Sequence, residues 1–506
     1  MSSPRSDRSF RWIFITVVLT MVLDRAWMVY TTVGYASDDV TVIWLAAMDY
    51  SHGIFHEPFF YGQDYGVMLE ALVAAPFVAL GADPVHSIAV VIGLFAIVPY
   101  VAFAFHFRAR GNWWGALLFA SMPLLLPVEH GLQITALNGL AVLALAPLIM
   151  RVTSEGLRHL LLSFVLVLAV FVNPNALLFA LPIGMDHLIA HGRSWRTWLS
   201  MALGLGPVLL AWALTREFFD SRHAQVVHTI FDWRMDFKPY MIPDALIYLD
   251  DHFAWMAPLC GDHASIALAL LLAAAVLLFV QRAYSMAWAT VATVSLIVFA
   301  FSFAKAHDGT GSLFFPLSRI FLGLPLVLAL VWGRIRIRPH TLHTATLVLC
   351  FIAVTHGMFR TTNAGATYAN ALEDQERNPT RTWSVARIKE QCARVAHLAE
   401  KDGSDRIILL RGDDPFGIQF LAYTIPVFHP EAPMTWMVGH DRRRFQRSRM
   451  TDAPVKRILF VGGNNDDLQH ILALGGSPSL LRASGPRAIA ITLPERPVKA
   501  VLEALE

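Results

Sequence analysis

The sequence is poor in charge: 15% of its 506 residues are Asp, Glu, Lys or Arg, against roughly 25% in soluble domains. With 56% hydrophobic residues and a mean hydropathy of +0.51, that deficit excludes an ordinary soluble enzyme and predicts a polytopic α-helical membrane protein. Net charge is small as well, +2 with the 20 histidines neutral, so no global field favours nucleic acid as a partner. The three cysteines, Cys260, Cys350 and Cys392, lack metal-type spacing, and Cys350 lies inside an apolar run, so no disulfide framework is implied. Internal repeats and a glycine-rich nucleotide loop are also missing. No small-residue cleavage site follows Arg5, Arg8 and Arg11, so the first apolar run reads as a retained span with a cytoplasmic N-terminus.

What is present is a series of apolar runs. A spanning helix needs about 20 apolar residues, and candidate runs begin near Trp12, His86, Trp113, Leu132, His159, Ala176, Trp198, Ser265, Met286, Leu317 and Leu342. A further stretch from Gly66 to Gly81 carries Glu70 and Pro76. Lys and Arg concentrate in short cytoplasmic loops, which decides whether that stretch crosses. If it does not, Arg108/Arg110, Arg151/Arg158, Arg193/Arg196, Arg282 and Arg334/Arg336/Arg338 all join the N-terminal arginines inside. If it does, every later cluster flips outward. The preferred reading is about eleven spans, with Gly66–Gly81 an interfacial helix whose Met68, Leu72, Ala75 and Ala79 form one apolar stripe while Glu70 faces water.

Polar residues then gather on the outer face. The first outside loop, 31–85, opens with Asp38 and Asp39 in GYASDDVTVIW. Adjacent carboxylates repel, so the pair suits either a general base or a cation site; the plainer alternative is that it caps the helix that follows. Downstream, Tyr61, Gln63, Asp64, Tyr65 and Glu70 set aromatic rings beside hydrogen-bonding groups, a combination that suits sugars. His52, His56 and Glu57 are weak metal candidates, since their spacing matches no zinc pattern. Another outer loop offers Lys305, His307 and Asp308, followed by Arg319 about one turn into an apolar span, where an arginine needs a partner such as phosphate or a carboxylate. Asp24 and Arg25, late in the first span, pair with each other or with Arg319. Asn173-Pro174-Asn175 reads as a tight outer turn.

The transmembrane part covers 1–358. After it, 359–506 is soluble in composition and alternates strands (RIILL, KRILFVG, RAIAITL) with helices (LQHILALGG, PVKAVLEALE), a small extracytoplasmic α/β domain. Its Gly turns at 411–414 and 462–466 lack dinucleotide spacing, and DRRRFQRSR at 441–449 is either a solvated basic face or an anionic-lipid contact.

Taken together, the inside first span, the outer loop opening with an acidic pair, YGQDYGVMLEALVAAPF and the late SRIFLGLPLVLAL resemble the GT-C membrane glycosyltransferases, in the branch of protein O-mannosyltransferases and bacterial lipid A aminoarabinose transferases. The resemblance covers roughly 11–338. It implies an inner-membrane, inverting glycosyltransferase that moves a sugar from a polyprenyl-phosphate carrier to a glycan, lipid or protein acceptor on the outer face. It implies Asp38 or Asp39 as base, with a lean to Asp38, and Arg319 as the donor-phosphate residue assisted by Lys305 or His307. The sequence requires no cofactor, and a divalent metal is compatible with it. DD in place of the DE of many relatives, and YGQDYG in place of a lysine-containing proline motif, leave the sugar and the acceptor open. The rival from another class is a lipid or sugar transporter or flippase, for which paired broken helices in two similar halves would be the signature.

Overall fold

The computed structural model describes residues 4–63, 65–221, 237–250, 263, 265–307, 321–337, 339–373, 383–410, 415–438, 454–475, 477–481 and 488–505. The helices up to the middle of the chain are α1 (Pro4–Thr32), α2 (Asp38–Ser51), α3 (Leu69–Ala79), α4 (Pro84–Ala109), α5 (Trp113–Leu125), α6 (Glu155–Val172), α7 (Leu177–His191) and α8 (Trp195–Ser221). They are followed by α9 (Ile266–Val280), α10 (Tyr284–Ala300), α11 (Leu324–Arg334) and α12 (Pro339–Glu373). Helical structure stands at each of the eleven places expected from the apolar runs. Among the described residues, stretches of five of these helices are long and apolar enough to cross a membrane by length and composition: 8–32, 84–109, 155–172, 195–221 and 341–363.

The run expected near Leu132 is not one helix. It begins as a 3-10 turn, Val128–Leu132, and continues as three short pieces, Asn138–Val142, Leu143–Leu145 and Ala146–Ile149. Pro147 removes a backbone donor, and Thr135 adopts a left-handed backbone with φ 56° that interrupts the helical path. α12 runs past the expected domain boundary at 358/359 and ends at Glu373.

α3 has eleven residues, roughly 16 Å of helix, too short to cross about 30 Å of hydrocarbon. Its orientation corrects the expected stripe. Met68, Ala71, Ala74, Ala75 and Val78 face the protein, and Glu70 is buried with them at 1% exposure. Leu72, Val73, Phe77 and Leu80 are exposed, which gives the helix an outward apolar face suited to the bilayer interface.

The main sheet of the C-terminal part has, among the described residues, the strands β3 (Arg406–Leu410), β4 (Thr435–Val438), β5 (Pro454–Gly462), β6 (Ser477–Leu481) and β7 (Ala488–Pro497). They form one sheet in the order β4-β3-β5-β7-β6. β3 is parallel to β4 and β5, whereas β7 is antiparallel to β5 and β6. Strand alternation sends Ile408, Leu410, Ile458, Phe460 and Ile491 to one face, against the helices Asn465–Ala473 and Val498–Glu503. Ile407, Leu409, Leu459, Val461 and Ala490 line the other face, toward the helices Val385–Asp402 and Pro415–Phe428.

That second face does not end at the domain. Its apolar cluster continues into α2 through Val42, Ile43, Trp44, Leu45 and Ala46, and Trp44 meets Phe428 edge-on at 5.9 Å. A two-stranded sheet adds a backbone link: β1 (Tyr35–Ala36) pairs antiparallel with β2 (Trp383–Ser384), and the Val385 N–H donates to the Gly34 carbonyl at 2.8 Å. The α/β domain is thus fixed to the residues that immediately precede Asp38. In its Gly462-Gly463-Asn464 turn, the Asn464 side chain accepts from the Asp466 and Asp467 N–H groups, and Asp467 accepts from the Asn464 N–H. This capping box satisfies the helix N-terminus from within.

Candidate active site

Asp38 and Asp39 occupy the first turn of α2, but neither caps it. The cap is Ser37, whose Oγ accepts from the Val40 N–H at 3.5 Å. Both carboxylates are half-buried, and Asp38 Oδ1 accepts from the Asp39 N–H at 2.9 Å. The N-terminal turn of a helix favours anions, so the pair stands where negative charge is tolerated without either residue being spent on the cap.

Beside this turn lies a small cavity of about 50 Å³, lined by Arg25, Thr32, Tyr35, Val40, Trp44 and Ile88 among others. Arg25 is buried, and its Nη1 donates to the Gly131 carbonyl at 3.2 Å. Two glycines make room for it: a Cβ at Gly131 would lie 1.9 Å from Arg25 Nη1, and one at Gly93 would lie 2.5 Å from Val29 Cγ2 and 3.4 Å from Arg25 Cδ. Asp24 does not pair with Arg25; it bonds Arg360 and Thr361 of α12.

The other end of α2 carries a separate polar group. Asp49 is 4% exposed, accepts from Tyr61 Oη at 3.0 Å and lies 3.6 Å from His56 Nε2. It stands eleven positions along the helix from Asp38, or roughly 16 Å along the axis, so the acidic pair and the Tyr61 cluster do not share one site. Glu57 accepts from the Gly62 N–H at 2.8 Å through Oε2, while its Oε1 is buried with no partner among the described residues. Burial pushes the Glu57 carboxyl up to about 7, against the opposing pull of that Gly62 N–H. Tyr50 is raised by burial and by the charges of Asp49 and Glu57.

Glu57 therefore makes stability depend on pH. Its folded-state value exceeds the unfolded one of 4.5, so the folded state holds the extra proton between about 4.5 and 7 and loses stability as pH rises through that window. Glu57→Gln should flatten the curve. Near pH 5 the variant should melt close to the parent, and at pH 8 it should be more stable by up to about 3 kcal/mol. Thermal unfolding in detergent across pH 5–8 checks this, and parallel curves for parent and variant would refute it.

Glu70 belongs to a third cluster. Its Oε1 accepts from the Thr135 N–H at 2.6 Å and its Oε2 from Asn138 Nδ2 at 2.5 Å. Asn173 Nδ2 donates to the Thr135 carbonyl at 3.1 Å, and its own Oδ1 accepts from the Asn175 N–H at 2.9 Å, closing the expected turn. A β-branched residue at positive φ costs about 1–3 kcal/mol, and these bonds engage both backbone groups of Thr135. Instead of facing water, Glu70 anchors the broken 128–149 segment beneath α3.

Of the remaining candidates, His52 is exposed at the end of α2 with Nδ1 2.9 Å from the Met48 carbonyl, and Tyr65 is 38% exposed. Gln63 is half-buried, its N–H donating to the Phe60 carbonyl at 2.8 Å. Among the described residues no three His, Cys, Asp or Glu side chains converge as a metal site, so His52, His56 and Glu57 are not assembled as one. Lys305 and His307 lie in a 3-10 turn, Ala304–His307; their side chains, together with Asp64, Asp308, Arg319 and residues 411–414 and 441–449, lie outside what is described. Sequence reasoning missed Asp49, a lone acid eleven residues after Asp38, and Arg360, a lone cation at the end of the last apolar run. Both were visible as ionisable residues in apolar surroundings.

No known family model matches the chain, and no curated protein matches it by sequence. Among solved structures, ArnT from Cupriavidus metallidurans in the apo state matches with a TM-score of 0.52 at 12% identity, over 96% of this chain and 98% of that one. The likeness runs through the outer loop and the α/β domain as well as the helical bundle. The chain has the GT-C fold of ArnT.

Proposed function

We propose that the protein is a membrane glycosyltransferase that moves a sugar from a polyprenyl-phosphate carrier to an acceptor on the extracytoplasmic face. The observation that carries this reading is the fold shared with ArnT over nearly the full length of both chains, together with an acidic pair in the first turn of a helix buttressed by the α/β domain. Eleven crossings with a cytoplasmic N-terminus belong to the same proposal, since they gather the arginine-rich turns on one side and Asp38, Asp39 and the α/β domain on the other.

In the proposed reaction, Asp38 or Asp39 takes the proton of the acceptor hydroxyl or amine as its oxygen or nitrogen bonds to the anomeric carbon. The bond from that carbon to the carrier phosphate breaks on the opposite side, so configuration inverts and the electron pair leaves with polyprenyl phosphate. Cationic side chains offset the charge that develops on the leaving group. Arg319 with Lys305 and His307 is proposed for that role from sequence, and Arg25 is a further guanidinium next to the acidic turn. Gln63 and Tyr65 are proposed to contact sugar, whereas Tyr61 is engaged by Asp49 at the other end of α2 and Glu70 by Thr135 and Asn138.

Mass analysis of lipid-linked sugars and surface glycans in a strain lacking the protein tests the function. The expected result is accumulation of one sugar-loaded polyprenyl phosphate and loss of the corresponding surface sugar, both reversed by the intact gene. Unchanged carrier and glycan pools would overturn it.

A further inference from the structure

The larger cavity lies at the other end of the bundle from Asp38 and Asp39. α4 marks the distance: Ile88 lines the small outer cavity and His106 the larger one, eighteen residues or roughly 27 Å apart along the helix. This second cavity has a volume of about 370 Å³ and is open on one side, within the range of ligand pockets. It lies where α4, α7 and α11 end and α6 and α10 begin, among the arginine-rich turns.

Its lining is divided in character. Phe103, Phe107, Met150, Ile183 and Leu330 form an apolar wall. Arg110, Arg158 and Arg334 line the same cavity, with Asp186 the one carboxylate among the lining residues. Asp186 Oδ2 lies 3.3 Å from Arg334 Nη2, so that carboxylate is engaged, while Arg334 Nε is buried and has no hydrogen-bond partner among the described residues. Arg158 Nη2 lies 3.7 Å from the exposed Glu155, and its Nη1 donates to the Val152 carbonyl at 3.3 Å. Arg110 makes no ion pair among the described residues; Arg334 and Arg151 repel it, and Asp186 attracts it in part. Three guanidiniums against one engaged carboxylate leave the cavity short of negative charge.

Histidines do not turn this into a metal site. His159 Nδ1 lies 2.7 Å from His187 Nε2, so these two rings bond each other, and His187 and His191 pack at 4.8 Å between centroids. Their nitrogens do not converge on a common point, in keeping with the lack of any three-residue metal cluster among the described residues.

We propose that this cavity binds a phosphate group, with the guanidiniums of Arg110, Arg158 and Arg334 around its oxygens. Guanidinium forks match phosphate geometry. The apolar wall favours a phosphate carried on a membrane lipid, whose glycerol and first methylenes would lie against Phe107 and Leu330, over free phosphate. Basic pockets between spanning helices at the cytoplasmic surface commonly take such headgroups. The site is independent of the sugar-transfer reading and stands if that reading fails.

The test is native mass spectrometry of the full-length protein in detergent, with phosphatidylglycerol, phosphatidylcholine or inorganic phosphate added in separate arms. Phosphatidylglycerol adducts should exceed phosphatidylcholine adducts by roughly tenfold or more. Arg110→Gln/Arg158→Gln should abolish that preference, and Arg110→Lys/Arg158→Lys should retain most of it. If inorganic phosphate alone occupies the parent but not the glutamine variant, the phosphate site stands and its source is free phosphate. Equal adducts of both lipids without phosphate binding, or an undiminished preference in a folded glutamine variant, would overturn the proposal. Should the double variant fold poorly, the exposed Arg110→Gln alone serves, with a partial loss expected.

Discussion

Asp38→Asn/Asp39→Asn should lower sugar transfer by roughly a thousandfold or more while leaving insertion and melting temperature near those of the parent, because a positioned base contributes about 10²–10⁴ to such a step. The fold is expected to survive for local reasons. An asparagine in place of Asp38 would keep the side-chain oxygen that accepts from the Asp39 N–H, and Ser37, which caps α2, is untouched. The single variants then divide the roles. The residue that takes the proton should account for most of the loss, and its neighbour for no more than about tenfold. The resemblance leans to Asp38. Transfer of a radiolabelled lipid-linked sugar in reconstituted vesicles is the measurement, and full activity in both singles and the double would remove the pair from the mechanism. Ser37→Ala is the companion control: it should cost about 1 kcal/mol of helix stability without a comparable fall in transfer, which separates capping from chemistry.

That control exists because the structure divides what sequence left together. From SDDV alone, an acidic cap is the somewhat more natural reading than an acidic site, since Asp caps helices well. Ser37 resolves this, one residue earlier and itself a favoured cap. The same kind of local competition misled the reading of Glu70. Its spacing from Met68 and Leu72 suggested a wet face, but the partners that make burial tolerable, the Thr135 N–H and Asn138 Nδ2, come from more than sixty residues away. A buried carboxylate with two donors is acceptable, and without them it is not. No periodicity within 66–81 could reveal which case held.

The broad architecture was more legible because its signals are local and additive. Apolar runs placed helical structure at all eleven positions, and the short apolar stretches RIILL, KRILFVG and RAIAITL placed the β3, β5 and β7 strands. β4 has only four residues, and β6 opens with Ser-Pro-Ser, so neither carried enough apolar pattern to stand out. The docking of the α/β domain on α2 was illegible for a different reason. Trp44 and Phe428 are ordinary apolar residues in their own segments, and only the fold makes them neighbours.

The largest effect on stability is expected at a contact that joins the first and last helices of the bundle. Arg360 and Asp24 are each 6% exposed and bond one another between α12 and α1, with Thr361 Oγ1 a second donor to Asp24. Arg360 also serves α5. Its Nη1 donates to the Pro123 carbonyl at 2.7 Å and to that of Leu126, and His356 Nδ1 lies 2.7 Å from the Leu124 carbonyl. These carbonyls lie at the C-terminal end of a helix, where no further turn supplies donors and a cation is favoured. Arg360→Met would therefore leave both a buried carboxylate and two carbonyls without their cation, at a cost of about 3–5 kcal/mol. Asp24→Asn should cost less, because the amide oxygen still accepts from Thr361 and Arg360 keeps its carbonyls. The decisive comparison is Asp24→Leu/Arg360→Met, which removes both charges together. If the pair is the source of the loss, the double variant should melt above Arg360→Met alone, since replacing a buried ion pair by apolar groups is often close to neutral. Thermal unfolding of these variants and of Asp24→Leu alone in detergent measures this, and a double variant whose loss equals the sum of the Asp24→Leu and Arg360→Met losses would show that Arg360 acts through the α5 carbonyls and not through Asp24.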